Sequence, residues 1–225
     1  MQLAAAPPEH RPEAALAAVA AGDAGVRAVR AAAAGCRACP LWEHATQTVF
    51  GAGSVPARLM LVGEQPGDKE DRAGEPFVGP AGAMLDRALE EAGIDRETAF
   101  VTNVVKHFKW KPVAGSKRRL HEKPNKAEVG ACLPWVESEL ALVKPEALVL
   151  LGATAAEALA GRPVAVMKER GKLLELDHAP LVVATVHPSS ILRAGSGREA
   201  AYGAFVRDLA AVGRWLGGRG YHPPR

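Results

Sequence analysis

The sequence lacks the features that would place it in a membrane, outside the cell or among globally basic proteins. No apolar run approaches the ~18 residues that a membrane-spanning helix requires. The alanine-rich start is broken by prolines and by Glu9 and Glu13, so it offers no continuous apolar stretch for a secretory signal. Cysteine is scarce, and its count of 3 is odd, which does not suit a disulfide framework. Cys36 and Cys39 form a C-R-A-C pair, a spacing suited to a metal or cluster in a reducing compartment. A soluble, cytoplasmic protein is expected. The formal charge is only +3, so a nucleic-acid surface would have to arise from local clustering. There is no internal repeat, and no low-complexity tract beyond the N-terminal alanines.

What is present suffices for one sizeable core: 225 residues, 48% of them hydrophobic. Residues 1–22 mix alanine, proline and charge without a period and read as a loosely held extension, and 23–225 as a single domain. Asp23 is placed to cap a helix that runs to Ala34 and stops at Gly35, delivering the C-R-A-C pair at a turn. Strands are expected over 58–62, 99–105, 147–151, 173–176 and 181–186. Helices are expected over 82–92, from Asn125 through Cys132 to Leu140, over 154–159 and over 199–216. This alternation predicts an α/β fold with three layers, helices covering both faces of a central, mainly parallel sheet. In such sheets ligands bind at the carboxyl ends of the strands. Three loops follow strands and can converge there: G-E-Q-P-G-D at 63–68, N-V-V-K-H at 103–107 and H-P-S-S at 187–190.

The most unusual stretch is 104–121, a long loop carrying Lys106, Lys109, Lys111, Lys117, Arg118 and Arg119, interleaved with Phe108 and Trp110 and closed by His121. Loops of this length inside a compact domain usually have a function. Its cations and rings suit a nucleic-acid backbone and its bases, although a solvated basic loop has the same composition.

The ordered set formed by Cys36 and Cys39, G-E-Q-P-G-D at 63–68, F-V-G-P-A-G at 77–82, T-N-V-V-K-H at 102–107, K-R-R-L-H at 117–121, Cys132 and H-P-S-S-I-L-R at 187–193 resembles the uracil-DNA glycosylase superfamily. Within it, the set is most similar to the iron-sulfur family 4 enzymes and their neighbours, the UdgX group. That group is described by a K-R-R-I-H loop, where this chain has Leu120 in place of isoleucine. The resemblance implies the superfamily fold and a [4Fe-4S] cluster. Family 4 enzymes hold theirs with four cysteines, and this chain has His107 where their third cysteine stands. Histidine ligates iron in Rieske centres, so Cys36, Cys39, His107 and Cys132 are the implied ligands. The same donors also fit a Cys3His zinc site.

By similarity, the substrate is uracil-containing DNA, single-stranded by preference, bound by a monomer. An extruded base must be stacked and read along its Watson-Crick edge. The resemblance gives stacking to Phe77 and pairing to Asn103, beside Gly63, with His187 donating to the departing base. Ser189, Ser190, Arg193, Lys117, Arg118 and Arg119 would hold phosphates. In the UdgX group the histidine closing the basic loop attacks the sugar and leaves the protein covalently attached. That role falls on His121, with Glu64 accepting its proton. Gln65, Asp68 and Asp71 are expected to shape the site or order a water. Two alternatives remain: a turning-over family 4 glycosylase in which His121 contacts phosphate, and a noncatalytic single-strand binding module.

Overall fold

The computed structural model describes residues 11–22, 24–218 and 220–224. In chain order the elements are α1 (Pro12–Ala20), α2 (Val26–Ala34), β1 (Ala52–Gly53), β2 (Leu59–Gly63), α3 (Asp68–Ala73), α4 (Pro80–Glu91), β3 (Ala99–Asn103), β4 (Trp110–Pro112), β5 (Arg119–His121), α5 (Lys126–Val143), β6 (Ala147–Leu151), α6 (Ala153–Ala160), α7 (Val166–Glu169), β7 (Leu181–Thr185), α8 (Pro188–Leu192) and α9 (Arg198–Leu216). Every residue of β2, β3, β6 and β7 is buried. Apolar runs without alternation have this fate when helices cover both faces of a sheet.

The main sheet has the order β1-β3-β2-β6-β7. β3, β2, β6 and β7 are parallel, and the short β1 closes the β3 edge in the antiparallel sense. Helices α1 and α2 pack on α5, while α8 and α9 pack on α4. The chain is therefore α/β, with a central, mostly parallel sheet flanked by helices. Register decides where the site can form. Gly63 pairs with Asn103, and Leu151 pairs with Thr185, so the strands of each pair end level with one another and their outgoing loops share one edge.

Several expectations are corrected. Part of the stretch expected to be loosely held is helix α1, started by Pro12 at its first turn and packed on α5. Residues 1–10 and the expected cap Asp23 lie outside the described residues, and the N-cap position of α2 is Gly25. The expected strand over 173–176 is reduced to one bridge, Leu173 to Val183. Beyond it the Leu176 N–H turns back to the Leu174 carbonyl at 3.0 Å and leaves the ladder. The long basic loop is largely a two-stranded ribbon, with Trp110 opposite His121 and Pro112 opposite Arg119.

Lys106 is also not where a basic loop would put it. Its side chain is 0% exposed and pairs at 2.7 Å with Glu139 of α5, itself 0% exposed. The Lys106 ammonium also donates to Thr102 Oγ1 at 2.8 Å and to the Asn103 carbonyl at 2.7 Å, using all three of its protons. Glu139 Oε1 accepts from the Gly51 N–H at 2.9 Å and from the Thr102 hydroxyl at 3.0 Å. Each charge is thus satisfied, the condition under which a buried pair persists. Removing one partner leaves the other charge stranded. Lys106→Met should therefore lower stability by about 3–5 kcal/mol, read as a reduced denaturant midpoint. Lys106→Met combined with Glu139→Gln should cost less than the sum of the two single changes.

Candidate active site

The loops at the carboxyl ends of β2, β3 and β7 enclose a small cleft whose floor is Gly63. A Cβ on Gly63 would stand 2.8 Å from Phe77 Cζ and 3.4 Å from His187 Nε2, and would overlap the Asn103 amide oxygen. Absence of a side chain at this point opens the space between those three groups. The Phe77 ring stacks against His187 with centroids 6.1 Å apart and planes inclined at 28°. Phe77 has φ of 59°, a costly conformation for an aromatic residue. The surroundings enforce it. Gly82 in α4 lies so close that a Cβ there would overlap the Phe77 carbonyl. Glu70 accepts from the Gly79 N–H at 2.9 Å and the Gly67 N–H at 3.1 Å, joining the loops on either side of α3.

Asn103 is 3% exposed, and among the described residues nothing hydrogen-bonds its side-chain amide. One donor group and one acceptor group are therefore left for a ligand. His187 caps α8, with its Nδ1 accepting from the Ser189 N–H at 3.1 Å and lying 2.8 Å from Ser189 Oγ. That pattern assigns the ring proton to Nε2, the nitrogen facing Gly63. Burial, with smaller contributions from His121 and Arg193, pushes the His187 pKa down to about 4. A neutral imidazole with Nε2–H toward the cleft can donate to an oxygen there without carrying a net charge.

The ribbon reaches the same region through His121, which acts electrostatically on His187. His121 Nε2 lies 3.4 Å from Glu64 Oε1, and the His121 side chain is half-exposed. Burial lowers the His121 pKa, against the opposing pull of Glu64, and Arg193 adds to the lowering. The other Glu64 oxygen accepts from the Thr154 hydroxyl of α6. Gln65, expected among the catalytic groups, instead clamps the ribbon. Its amide nitrogen donates to the Glu122 carbonyl at 3.0 Å and the Lys109 carbonyl at 3.3 Å, and its oxygen accepts from the Lys109 N–H at 2.9 Å. Asp68 likewise faces Arg119, and Asp71 accepts from Arg119 Nη1 at 2.6 Å. The Arg119 guanidinium lies over the Phe108 and Trp110 rings, 5.3 and 5.5 Å from their centroids. Its side chain is only 10% exposed. Arg119, expected to meet phosphate, is thus a latch between the ribbon and α3.

The remaining expected cations differ among themselves. Lys109 pairs with Glu128 at 3.0 Å, whereas Lys111, Lys117 and Arg118 are exposed toward the ribbon tip, and Arg193 is exposed beside α8. Ser189 and Ser190 do begin a helix, but their hydroxyls turn onto His187: Ser190 Oγ donates to the His187 carbonyl at 2.7 Å. Thr154, Glu70 and Gly82 were not foreseen as site residues. Thr154 had one usable signal: it follows a parallel strand at the carboxyl edge where sites form.

Cys36, Cys39 and Cys132 are all buried free thiols. Burial pushes the Cys132 thiol up to about 12, opposed by the Lys106 N–H and reinforced by Cys39 and Cys36. Burial also raises Cys39. Cys132 accepts from the Lys106 N–H at 3.3 Å, and Cys36 from the Trp135 indole N–H at 3.2 Å. His107 is buried, and its pKa is pushed by burial down to about 4. Thr48 Oγ1 donates to the Ala33 carbonyl at 3.0 Å, so it accepts from His107 Nε2 at 2.9 Å. His107 Nδ1 is therefore a bare lone pair, buried and without a partner. Among the described residues no group of three or more His, Cys, Asp or Glu side chains is arranged to hold a single metal ion.

The sequence as a whole has known relatives. A chain of Thermotoga maritima named type-4 uracil-DNA glycosylase is 36% identical over 159 residues, 70% of this chain and 78% of its own length. Namesakes from Pyrobaculum aerophilum and Archaeoglobus fulgidus are 36% and 32% identical over 182 and 189 residues, covering 78% and 81% of this chain and 86% and 88% of theirs. The family profile described as the uracil DNA glycosylase superfamily matches residues 50–210, a span that contains Gly63, Phe77, Asn103, His121 and His187. The chain belongs to the uracil DNA glycosylase superfamily.

Proposed function

We propose that this protein is a uracil-DNA glycosylase that excises uracil, from single-stranded DNA by preference, and then becomes bonded through His121 to the abasic sugar. It would work as a monomer in the cytoplasm, with α1 and 23–225 acting as one unit. The excision half is supported by the names of the relatives and by the cleft between Phe77, Asn103 and His187. The single observation that carries the capture half is the position of His121 Nε2, 3.4 Å from Glu64 Oε1.

In this reading uracil enters over Gly63 and stacks on Phe77, and the Asn103 amide donates to O4 and accepts from N3–H. Cytosine presents the reverse pattern. As the bond from C1′ to N1 breaks, its electron pair leaves with the base, and His187 Nε2–H donates to the O2 on which charge develops. The imidazole nitrogen of His121 bearing the lone pair then bonds to C1′, while the proton on its other nitrogen passes to Glu64. The neutral product is a poor leaving group, so its hydrolysis is slow. Lys111, Lys117, Arg118 and Arg193 supply charge for phosphates. Gln65, Asp68, Asp71 and Arg119 act by holding the ribbon against the cleft. Ordinary turnover with water as nucleophile is the second reading, favoured by the type-4 names of the relatives.

We assign Cys36, Cys39, Cys132 and His107 to a [4Fe-4S] cluster. The orphaned Nδ1 of His107 and three buried thiols that influence one another suit that donor set. The cluster would cross-link the turn after α2, the chain after β3 and helix α5, supplying no chemistry at the uracil.

Five outcomes are expected. Protein purified anaerobically should be brown and carry about four irons per chain, and colourless protein with one zinc would overturn the cluster. Asn103→Asp should slow uracil release by about 10²–10³-fold, the cost of removing one donor to a developing anion, and unchanged release would mean that the base is read elsewhere. Native protein at less than stoichiometric concentration should stop when released uracil equals protein, with one denaturation-resistant adduct per base. His121→Ala should form no adduct and instead turn over, because the smaller side chain admits water at C1′ beside Glu64. The burial that lowers the His121 pKa keeps its imidazole neutral below the ordinary value of 6.5. The native adduct rate should accordingly hold as pH falls through 6.5 and decline only below it. An undiminished adduct in His121→Ala would sink the assignment.

A further inference from the structure

We infer that Thr154 is a positioning residue for the reaction: its hydroxyl fixes the Glu64 carboxylate so that the opposite oxygen faces His121, completing a chain Thr154, Glu64, His121. The inference rests on the reading of Glu64 and His121 given above. The motifs that carry the family resemblance do not include Thr154, which lies in the L-G-A-T-A-A stretch at 151–156.

Glu64 is the first residue after β2, on a loop whose backbone is fixed by the Val105 N–H donating to the Glu64 carbonyl at 3.0 Å. A fixed backbone does not fix a carboxylate with three rotatable bonds. Two contacts do so here: Thr154 Oγ1 donates to one oxygen, and His121 Nε2 stands 3.4 Å from the other. Of the two, Thr154 is the anchored one. It is buried in the first turn of α6, whereas His121 is half-exposed on a ribbon. A hydroxyl on a rigid helix is suited to hold a carboxylate that must meet a less rigid partner, as the third member of an acid–base triad does.

The start of α6 is placed in turn by the other half of the site. Gly152, the residue before α6, has φ of 92°, and a Cβ on it would stand 3.0 Å from His187 Cβ. Its N–H donates to the Thr185 carbonyl at the end of β7, at 2.8 Å. Helix α6 therefore begins against the chain segment that carries His187. Thr154 ties the group acting at the sugar to the framework holding the group that acts at the base, so that both face one bound nucleotide with a fixed separation.

The test uses full-length protein and a uracil-containing oligonucleotide under single-turnover conditions, with uracil release and adduct formation followed together over a range of protein concentration. Thr154→Val keeps the side-chain shape and loses the donor, and Thr154→Ser keeps the donor. Losing a hydrogen bond to a charged group predicts a maximal adduct rate about 10–100-fold lower in Thr154→Val. The protein concentration giving half the maximal rate should be unchanged, and Thr154→Ser should restore most of the rate. Equal maximal rates for native protein and Thr154→Val would overturn the inference, as would a Thr154→Ser variant as slow as Thr154→Val, which would point to packing. If native protein releases uracil but forms no adduct, the capture reading fails by itself. The role of Thr154 is then decided on the maximal rate of uracil release, where water replaces the imidazole and Glu64 serves as its base. Loss in Thr154→Val with recovery in Thr154→Ser sustains it, and equal rates reject it.

Discussion

The buried pair of Lys106 and Glu139 is the constraint on which the rest of the site depends. The turn after β3 must bring Asn103 to the cleft and, four residues on, His107 to the neighbourhood of the cysteine-bearing segments. Its carbonyl groups cannot all join the sheet. Lys106 folds back beneath that turn and donates a hydrogen bond to the Asn103 carbonyl, while Glu139 pairs with it from α5 and accepts from the Gly51 N–H as well. Strand, turn, helix and the β1 approach are fixed by one network whose donors and acceptors are matched. A lysine here does what an apolar residue could not, because it satisfies a backbone acceptor while balancing a carboxylate.

The ribbon obeys a related logic. A hairpin carrying several cations would fray if it stood alone, since isolated hairpins are marginal in water. Here Gln65 bonds to the main chain at Lys109 and Glu122, the residues that flank the two strands at the base of the ribbon. Arg119 lies between two rings and two carboxylates. The charge that composition would assign to DNA is thus divided. Lys106, Lys109 and Arg119 are internal fasteners, and Lys111, Lys117 and Arg118 remain exposed.

Much of this arrangement was legible in the sequence. Four buried strands, the order of strand and helix and the convergence of three loops follow from apolar runs and from the carboxyl-edge rule. Phe77, Asn103 and His187 stood in quoted motifs, and the structure gathers them around Gly63. What stayed hidden was the partner of each polar group. Charge content cannot tell an exposed lysine from Lys106, because its burial is decided by Glu139, 33 residues away. Residues 173–176 have a strand composition, yet the chain turns off after one bridge because Leu176 bonds to Leu174. Local hydrogen-bond competition of this kind has no periodic signature. Gly63 and Gly82 were quoted in motifs, but only the structure shows that each removes a Cβ from a space that Asn103 or Phe77 must occupy.

The proposed reaction makes two demands that the fold meets on separate elements. Charge leaving with the base needs a donor aimed at it, and His187 supplies a neutral one because burial lowers its pKa and the Ser189 N–H fixes its tautomer. Charge left on the sugar needs a nucleophile held within a short distance, which the ribbon supplies through His121. If both groups sat on one loop, moving the nucleophile would move the donor. Here the donor belongs to the segment after β7 and the nucleophile to a ribbon clamped through Gln65, Asp68 and Asp71. The two are separately adjustable, and replacing the nucleophile need not disturb recognition of the base. On this account, an imidazole in place of water converts a turning-over glycosylase into one that retains its product, with no change to the cleft that selects uracil.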